Sequence, residues 1–161
     1  DQLCRNILDD TTTIQYASTS TTTLTVAAGM VLTGAEIREM VRTLQGNNAK
    51  PITEQLDPAD GFNSSPIAAS YIGIIHPKTL YDLKRDPDFI PVREYSRPGE
   101  AMADEVGSLD EVRFVMTTNA STSSTLGVAG ITVHQTLIFG ANYYGISRIA
   151  GKALQNIQKP L

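Results

Sequence analysis

The sequence predicts an α+β fold, with a central mixed or antiparallel sheet flanked by helices. Three observations predict it. The run Tyr71-Ile72-Gly73-Ile74-Ile75 is short and almost unbroken in apolar character, as a strand buried on both faces requires. From Thr33 to Leu44 the apolar residues recur at helical spacing. Around Val112 to Thr117 the repeat shortens to two, the period of a strand with one buried face. At 161 residues, one domain with a real core is the natural expectation.

The chain opens on DQLCRNILDD, where Leu3, Cys4, Ile7 and Leu8 fall on one side of a helix. A helix that begins without a cap or lead-in points to a piece of a longer polypeptide. The single cysteine, Cys4, excludes an internal disulfide and fits a reducing compartment. On the apolar side of a helix it reads as a packed thiol rather than a nucleophile. Residues 11–25 are dense in Thr and Ser. Thr favours extended backbone, so exposed strands or an ordered surface loop are expected, and a flexible connector is an equally fair reading.

The best local helix follows. Thr33-Gly34-Ala35-Glu36 fits a capping box, in which the Thr hydroxyl and the Glu carboxylate satisfy free amides of the first turn. Ile37, Met40, Val41 and Leu44 form one apolar stripe, and Gly46-Asn47 supplies a stop. Arg38, Glu39 and Arg42 mark the opposite, wet face. An amphipathic helix packed on a sheet is therefore expected. Residues 51–66 hold little periodicity and much Asp, Pro, Gly, Asn and Ser, and read as loop. Asp57 and Asp60-Gly61 read as a turn. A calcium loop needs alternating oxygen ligands and a closing Glu, and Pro58 and Ala59 interrupt that pattern.

His76-Pro77 ends the apolar strand, and Pro77 suits the first position of a helix, where its missing amide hydrogen costs nothing. Leu80 and Leu83 point inward, while Lys84 and Arg85 complement the helix dipole at its C-terminal end. Asp86-Pro87 terminates it. Farther on, Val112, Phe114 and Met116 alternate with Arg113, Val115 and Thr117, and Val133, Leu137 and Phe139 alternate likewise within residues 131–139. These two runs are expected to pair as antiparallel neighbours. Between them, TNASTSSTLGVAG reads as a low-complexity surface loop.

Chemistry is sparse. The net charge is −4, with 13 basic residues spread among 17 acids, and Lys84-Arg85 is the closest basic pairing. A nucleic-acid binder gathers its Lys and Arg into a patch that displaces counterions, so no specific nucleic-acid binding is expected. No apolar run approaches the ~20 residues that span a bilayer, so no membrane association is expected either. The sequons at Asn63 and Asn119 lack a secretory signal and read as chance matches. His76 caps a corner, and His134 lies on the more polar side of its strand; isolated histidines of this kind are structural or exposed unless partners converge on them. Asp104, Glu105, Asp110 and Glu111 form the densest acidic group, read as a solvated turn or as partners across subunits for Arg93 and Arg97. Gly145 to Lys152 is close to a phosphate-binding loop, but five residues separate its glycines and Ala153 follows the Lys, so the register fails. No catalytic, cofactor-binding or metal-binding residue is assigned, and no enzyme is expected. The rival is a small α+β ligand-binding or hydrolytic domain whose site draws on His76, His134, Asp104 and Glu105. That rival requires the four to converge in one pocket.

Ile74, His76, Pro77, Asp82, Leu83 and Asp86, then Gly107, Arg113, Phe114 and Thr118, match an "IxHPxxxxDLxxD" segment followed by a glycine turn and an "RF" strand. The closing residues Val133, Thr136, Leu137, Ile138, Phe139, Gly140, Tyr144 and Gly145 match a "vy-tLiFG-nAYG" pattern. Together with LTGAEIREMVRTLQGNNAKPI upstream, they make the chain resemble the podovirus-type major capsid proteins of tailed bacteriophages. The resemblance implies the fold shared by tailed phages and herpesvirus capsid floors. Residues 1–25 would then hold the end of the spine helix and a connector, 26–145 the axial-type domain, and 146–161 a return toward the peripheral domain. It implies a structural virion protein that assembles in the bacterial cytoplasm with copies of itself, as hexamers and pentamers, into an icosahedral shell around the genome. The family's N-terminal arm and extended hairpin find no counterpart in this reading, so the chain alone is expected to be monomeric or weakly associated. A phage head-completion or tail protein is the other phage-derived alternative.

Overall fold

A computed structural model describes residues 13–56, 64–95, 101–128 and 130–143. The expected helix around Leu3 to Leu8, with Cys4 in it, lies outside those residues. So do the turn at Asp57 to Gly61, Arg97, the stretch from Gly145 to Lys152 and the return segment 146–161. In chain order the elements are α1 (Gly34–Gly46), β1 (Ile52–Leu56), β2 (Ser64–Ile75), α2 (Pro77–Leu83), β3 (Ile90–Pro91), β4 (Glu105–Leu109), β5 (Val112–Met116), β6 (Thr122–Ser123), β7 (Val133–His134) and β8 (Leu137–Phe139).

Buried backbone must hydrogen-bond along both edges of a strand, and the second half of β2 does so. On one edge it runs parallel to β5, from Tyr71 opposite Val112 to Ile75 opposite Met116. On the other it runs antiparallel to β8, with Ile72 opposite Phe139 and Ile74 opposite Leu137. The sheet order is β1-β2-β5-β4-β3, with β8 also on β2. The fold is therefore α+β, a mixed sheet with two α-helices among the described residues. A separate two-stranded ribbon joins β6 to β7.

Both helices form where local chemistry dictates. The Glu36 carboxylate accepts the Thr33 amide at 3.0 Å, the reciprocal half of the capping box. His76 caps α2 through its Nδ1, which accepts the Lys78 amide at 3.2 Å, and Pro77 occupies the first turn. Ile37 and Val41 of α1 and Leu80 and Leu83 of α2 enter one core with Tyr71, Ile75, Leu109, Val112 and Phe114. The Tyr71 hydroxyl finds its partner in the Ala49 carbonyl at 2.9 Å, as a buried phenol requires.

The residues after α2 fasten the two helices together. Asp86 accepts the Gly34 amide at 2.9 Å and the Asp88 amide at 3.0 Å. These two backbone donors, Asp88 first, hold its carboxyl below the ordinary aspartate range. Arg38 donates to Asp88 and, at 2.7 Å, to Asp110. The polar face of α1 is thus a solvated cross-link rather than an unattached surface, and its open exposure keeps the energetic return small.

Four expectations are corrected. Residues 51–66 are not loop throughout: Ile52–Leu56 and Ser64 onward are strands paired with each other. The pairing is long-range, and Pro66 hides it, because proline reads as a strand breaker. It is tolerated here where, among the described residues, β2 has one neighbouring strand, so one edge needs no amide donor. Residues 112–117 and 131–139 do not pair with each other; β2 lies between β5 and β8 and takes both. The alternation in β5 also breaks, since Met116 is 40% exposed while Arg113 is buried. The described part of the Thr-rich segment takes the ordered surface loop of the two forms expected for it and forms no strand. It is irregular apart from a 3₁₀ turn at Thr23–Thr25, moored by backbone bonds from Gly127 to Thr23 and from Val128 to Val26. That mooring draws on the stretch after β5, which also contributes β6 and is more than a surface loop.

Gly73 is required by packing. A Cβ there would lie 2.7 Å from the Phe114 ring, closer than carbon atoms tolerate. Gly73→Val is expected to lower the unfolding free energy by about 1–3 kcal/mol through overpacking. Gly46→Ala, near the end of α1 with nothing within 4 Å of its Cβ, is expected to raise it by up to about 1 kcal/mol. Urea unfolding of the two variants measures both signs.

Candidate functional site

The described residues offer two polar centres, at different places on the sheet. The first is built on the β4–β5 hairpin. Glu105 has a fully buried side chain, and the Arg113 side chain is 9% exposed. Arg113 donates from Nε to Oε1 at 2.8 Å and from Nη2 to Oε2 at 2.7 Å. The Tyr95 hydroxyl adds a bond to Oε1 at 2.7 Å, and the Met102 amide one to Oε2 at 2.7 Å. Burial first, and then the Glu105 carboxylate, pushes the Tyr95 phenol up to about 12, against a counteracting hydrogen bond from Ser108.

This geometry decides what Glu105 can do. Each carboxylate oxygen takes two donors, so its lone pairs are saturated. The group is inaccessible to a substrate proton, and the fork of Arg113 locks its orientation. Asp104 next to it is exposed, in a left-handed conformation with φ of 59°. It contributes its carbonyl, which accepts the Met116 amide at 3.1 Å. The expected solvated acidic turn is thus corrected in part. Asp104 is solvated, but Glu105 is an interior ion pair, Asp110 holds Arg38, and Glu111 accepts a bond from Gln45.

The second centre joins the two histidines. The rings of His76 and His134 stack at 4.4 Å between centroids, 25° from parallel. Burial, then His76, then Lys78 depress the His134 imidazole below its ordinary value. His134 lines an open apolar groove of about 460 Å³, walled by Met30, Leu32, Met40, Leu126, Val133 and Leu137, among others. Lys78 and Asp82 of α2 reach the same groove.

Of the four residues considered for a site, the structure brings together His76 and His134. Glu105 sits on β4, two strands from the end of β2, roughly 10 Å across the sheet at the usual strand spacing. Among the described residues, no group of three or more His, Cys, Asp or Glu is placed to hold a metal ion. Arg113 and Tyr95 are the members sequence reasoning missed. The available clue was a charged residue on a strand between buried Val112 and Phe114, with a Glu at the far end of the same hairpin. No protein-family model matches the chain, and no curated protein matches it.

Removing one partner of a buried pair leaves the other charge uncompensated. Arg113→Met is expected to destabilise the fold by about 3–5 kcal/mol, with Glu105→Leu in the same chain recovering most of that loss. Denaturant unfolding of the single and double variants tests this. Additive losses would show that the two charges do not depend on each other.

Proposed function

We propose that this chain is a structural subunit of a tailed-phage or prophage capsid, which assembles with copies of itself into an icosahedral shell around the genome. The observation that carries the reading is the first half of β2. Among the described residues, Ser64–Ser70 pair with β1 alone, while β5 begins its pairing only at Tyr71. A two-stranded ribbon by itself is marginally stable in water, and an unpaired strand edge is a template for another chain. In a shell subunit that edge has a use, because closed shells repeat one heterologous contact around every five- and six-fold position.

Two further features support the reading. The matched residues Ile74, His76, Pro77 and Leu83 shape a strand, a corner and a helix, so their chemistry is architectural. The centre that could have served a hydrolytic domain is occupied internally, with Glu105 committed to Arg113, Tyr95 and Met102. The acidic balance suits a container that encloses nucleic acid without a basic lining to bind it. In this proposal the subunit is made in the bacterial cytoplasm and resides in the virion, with no membrane and no specific nucleic-acid partner. Hexamers and pentamers are its assembled units.

Expression of the chain within the longest open reading frame that encodes it, followed by electron microscopy, tests the proposal. Closed icosahedral particles are the expected outcome. Persistent monomers would contradict it, and open rings without shells would favour a head-completion or tail role.

A further inference from the structure

The only two histidines of the chain meet ring against ring, although they come from distant elements. His76 stands at the corner between β2 and α2, and His134 ends β7. The Nδ1 of His76 accepts the Lys78 amide, so the neutral ring carries its proton on Nε2. The Nδ1 of His134 is buried and meets no hydrogen-bond partner. Neutral imidazoles tolerate this arrangement. A proton on either ring would set a cation against its neighbour, beside the Lys78 ammonium and the free amides that open α2.

We propose that the His76–His134 stack is a proton-sensitive clasp, which holds the β6–β7 ribbon against the start of α2 at neutral pH and releases it in mild acid. His76 and Lys78 act on His134 directly, and the other titratable groups that line its groove are Asp82 of α2 and Tyr16 from the irregular segment before α1. The rest of the groove wall is apolar or neutral. Asp82 is the one carboxylate on that wall, and the net effect on His134 is still depressing. The sign follows. A depressed imidazole contributes its full stability above the ordinary value of about 6.5, and loses it as pH falls through the folded value. Opening would also expose more of the apolar groove's wall, to which Val133 and Leu137 belong with His134. The clasp does not rest on the assembly reading, since it concerns contacts within one chain.

Backbone amide exchange between about pH 7.5 and 5.5 reads the clasp directly, once corrected for intrinsic rates. The Lys78 amide and the amides of residues 133–135 are expected to lose protection severalfold in acid, while Tyr71 to Ile75 keep theirs. His134→Phe retains a stacking ring without a proton site, and His76→Asn retains a cap acceptor without an imidazole. In His134→Phe the acid-dependent loss at residues 133–135 should disappear, and in His76→Asn it should be smaller, because burial and Lys78 still depress His134. If one variant fails to fold, the other carries the test. No localised change in the unsubstituted chain, or the same change persisting in a folded variant, would overturn the proposal, assigning any acid response to the carboxylates.

Discussion

Burial of Tyr71 to Ile75, deepest on the face that carries Tyr71, Gly73 and Ile75, is the constraint from which the rest of the described structure follows. On that face Ile75 is completely buried and Tyr71 nearly so, while on the other Ile72 is buried and Ile74 half-buried. Backbone enclosed in this way must find hydrogen-bond partners along both edges. The parallel partner β5 brings Phe114 so close to Gly73 that no Cβ fits, and β8 closes the other edge. Both helices then contribute aliphatic side chains to the same core. Tyr71 also ties in the backbone before β1, through its hydroxyl to Ala49. The same strand continues backwards beyond β5, and along that overhang one edge is unfilled among the described residues.

Within this frame the charged residues are largely consumed inside the chain. Asp86 and Asp88 join the end of α2 to the start of α1, and Arg38 bridges to the β4–β5 turn at Asp110. Glu105 and Arg113 fasten β4 to β5 from within. Of the acids that looked available to neighbouring subunits, Glu105, Asp110 and Glu111 bond within the fold, while Asp104 is solvated. In the proposed assembly a copy would be recruited through backbone, the edge of Ser64–Ser70 that no described strand covers, and contacts of that kind depend on strand pairing more than on charge.

The sequence made α1, the His76-Pro77 corner and α2 legible because each is set by residues within a few positions of one another. A capping box, a proline in the first turn and a 3.6-residue stripe are local chemistry. Strand partners were not legible, since periodicity tells which face is buried but not which strand lies alongside. That is why β5 and β8 read as partners when each belongs to β2, and why Pro66 concealed a strand. The site divides in the same way. His76 as a cap was legible from its corner. The pairing of His134 with it, and of Arg113 with Glu105, depended on tertiary placement that no local pattern encodes.

The central claim is that the first half of β2 is completed by a second copy of the chain. Amide exchange along β2, measured on free protein and on assembled particles, tests it most directly. The account predicts that Tyr71 to Ile75 are protected in both, whereas alternate amides within residues 67–70 are protected only after assembly. Equal protection of residues 67–70 in the two states would contradict it, because their free edge would then have no part in joining subunits.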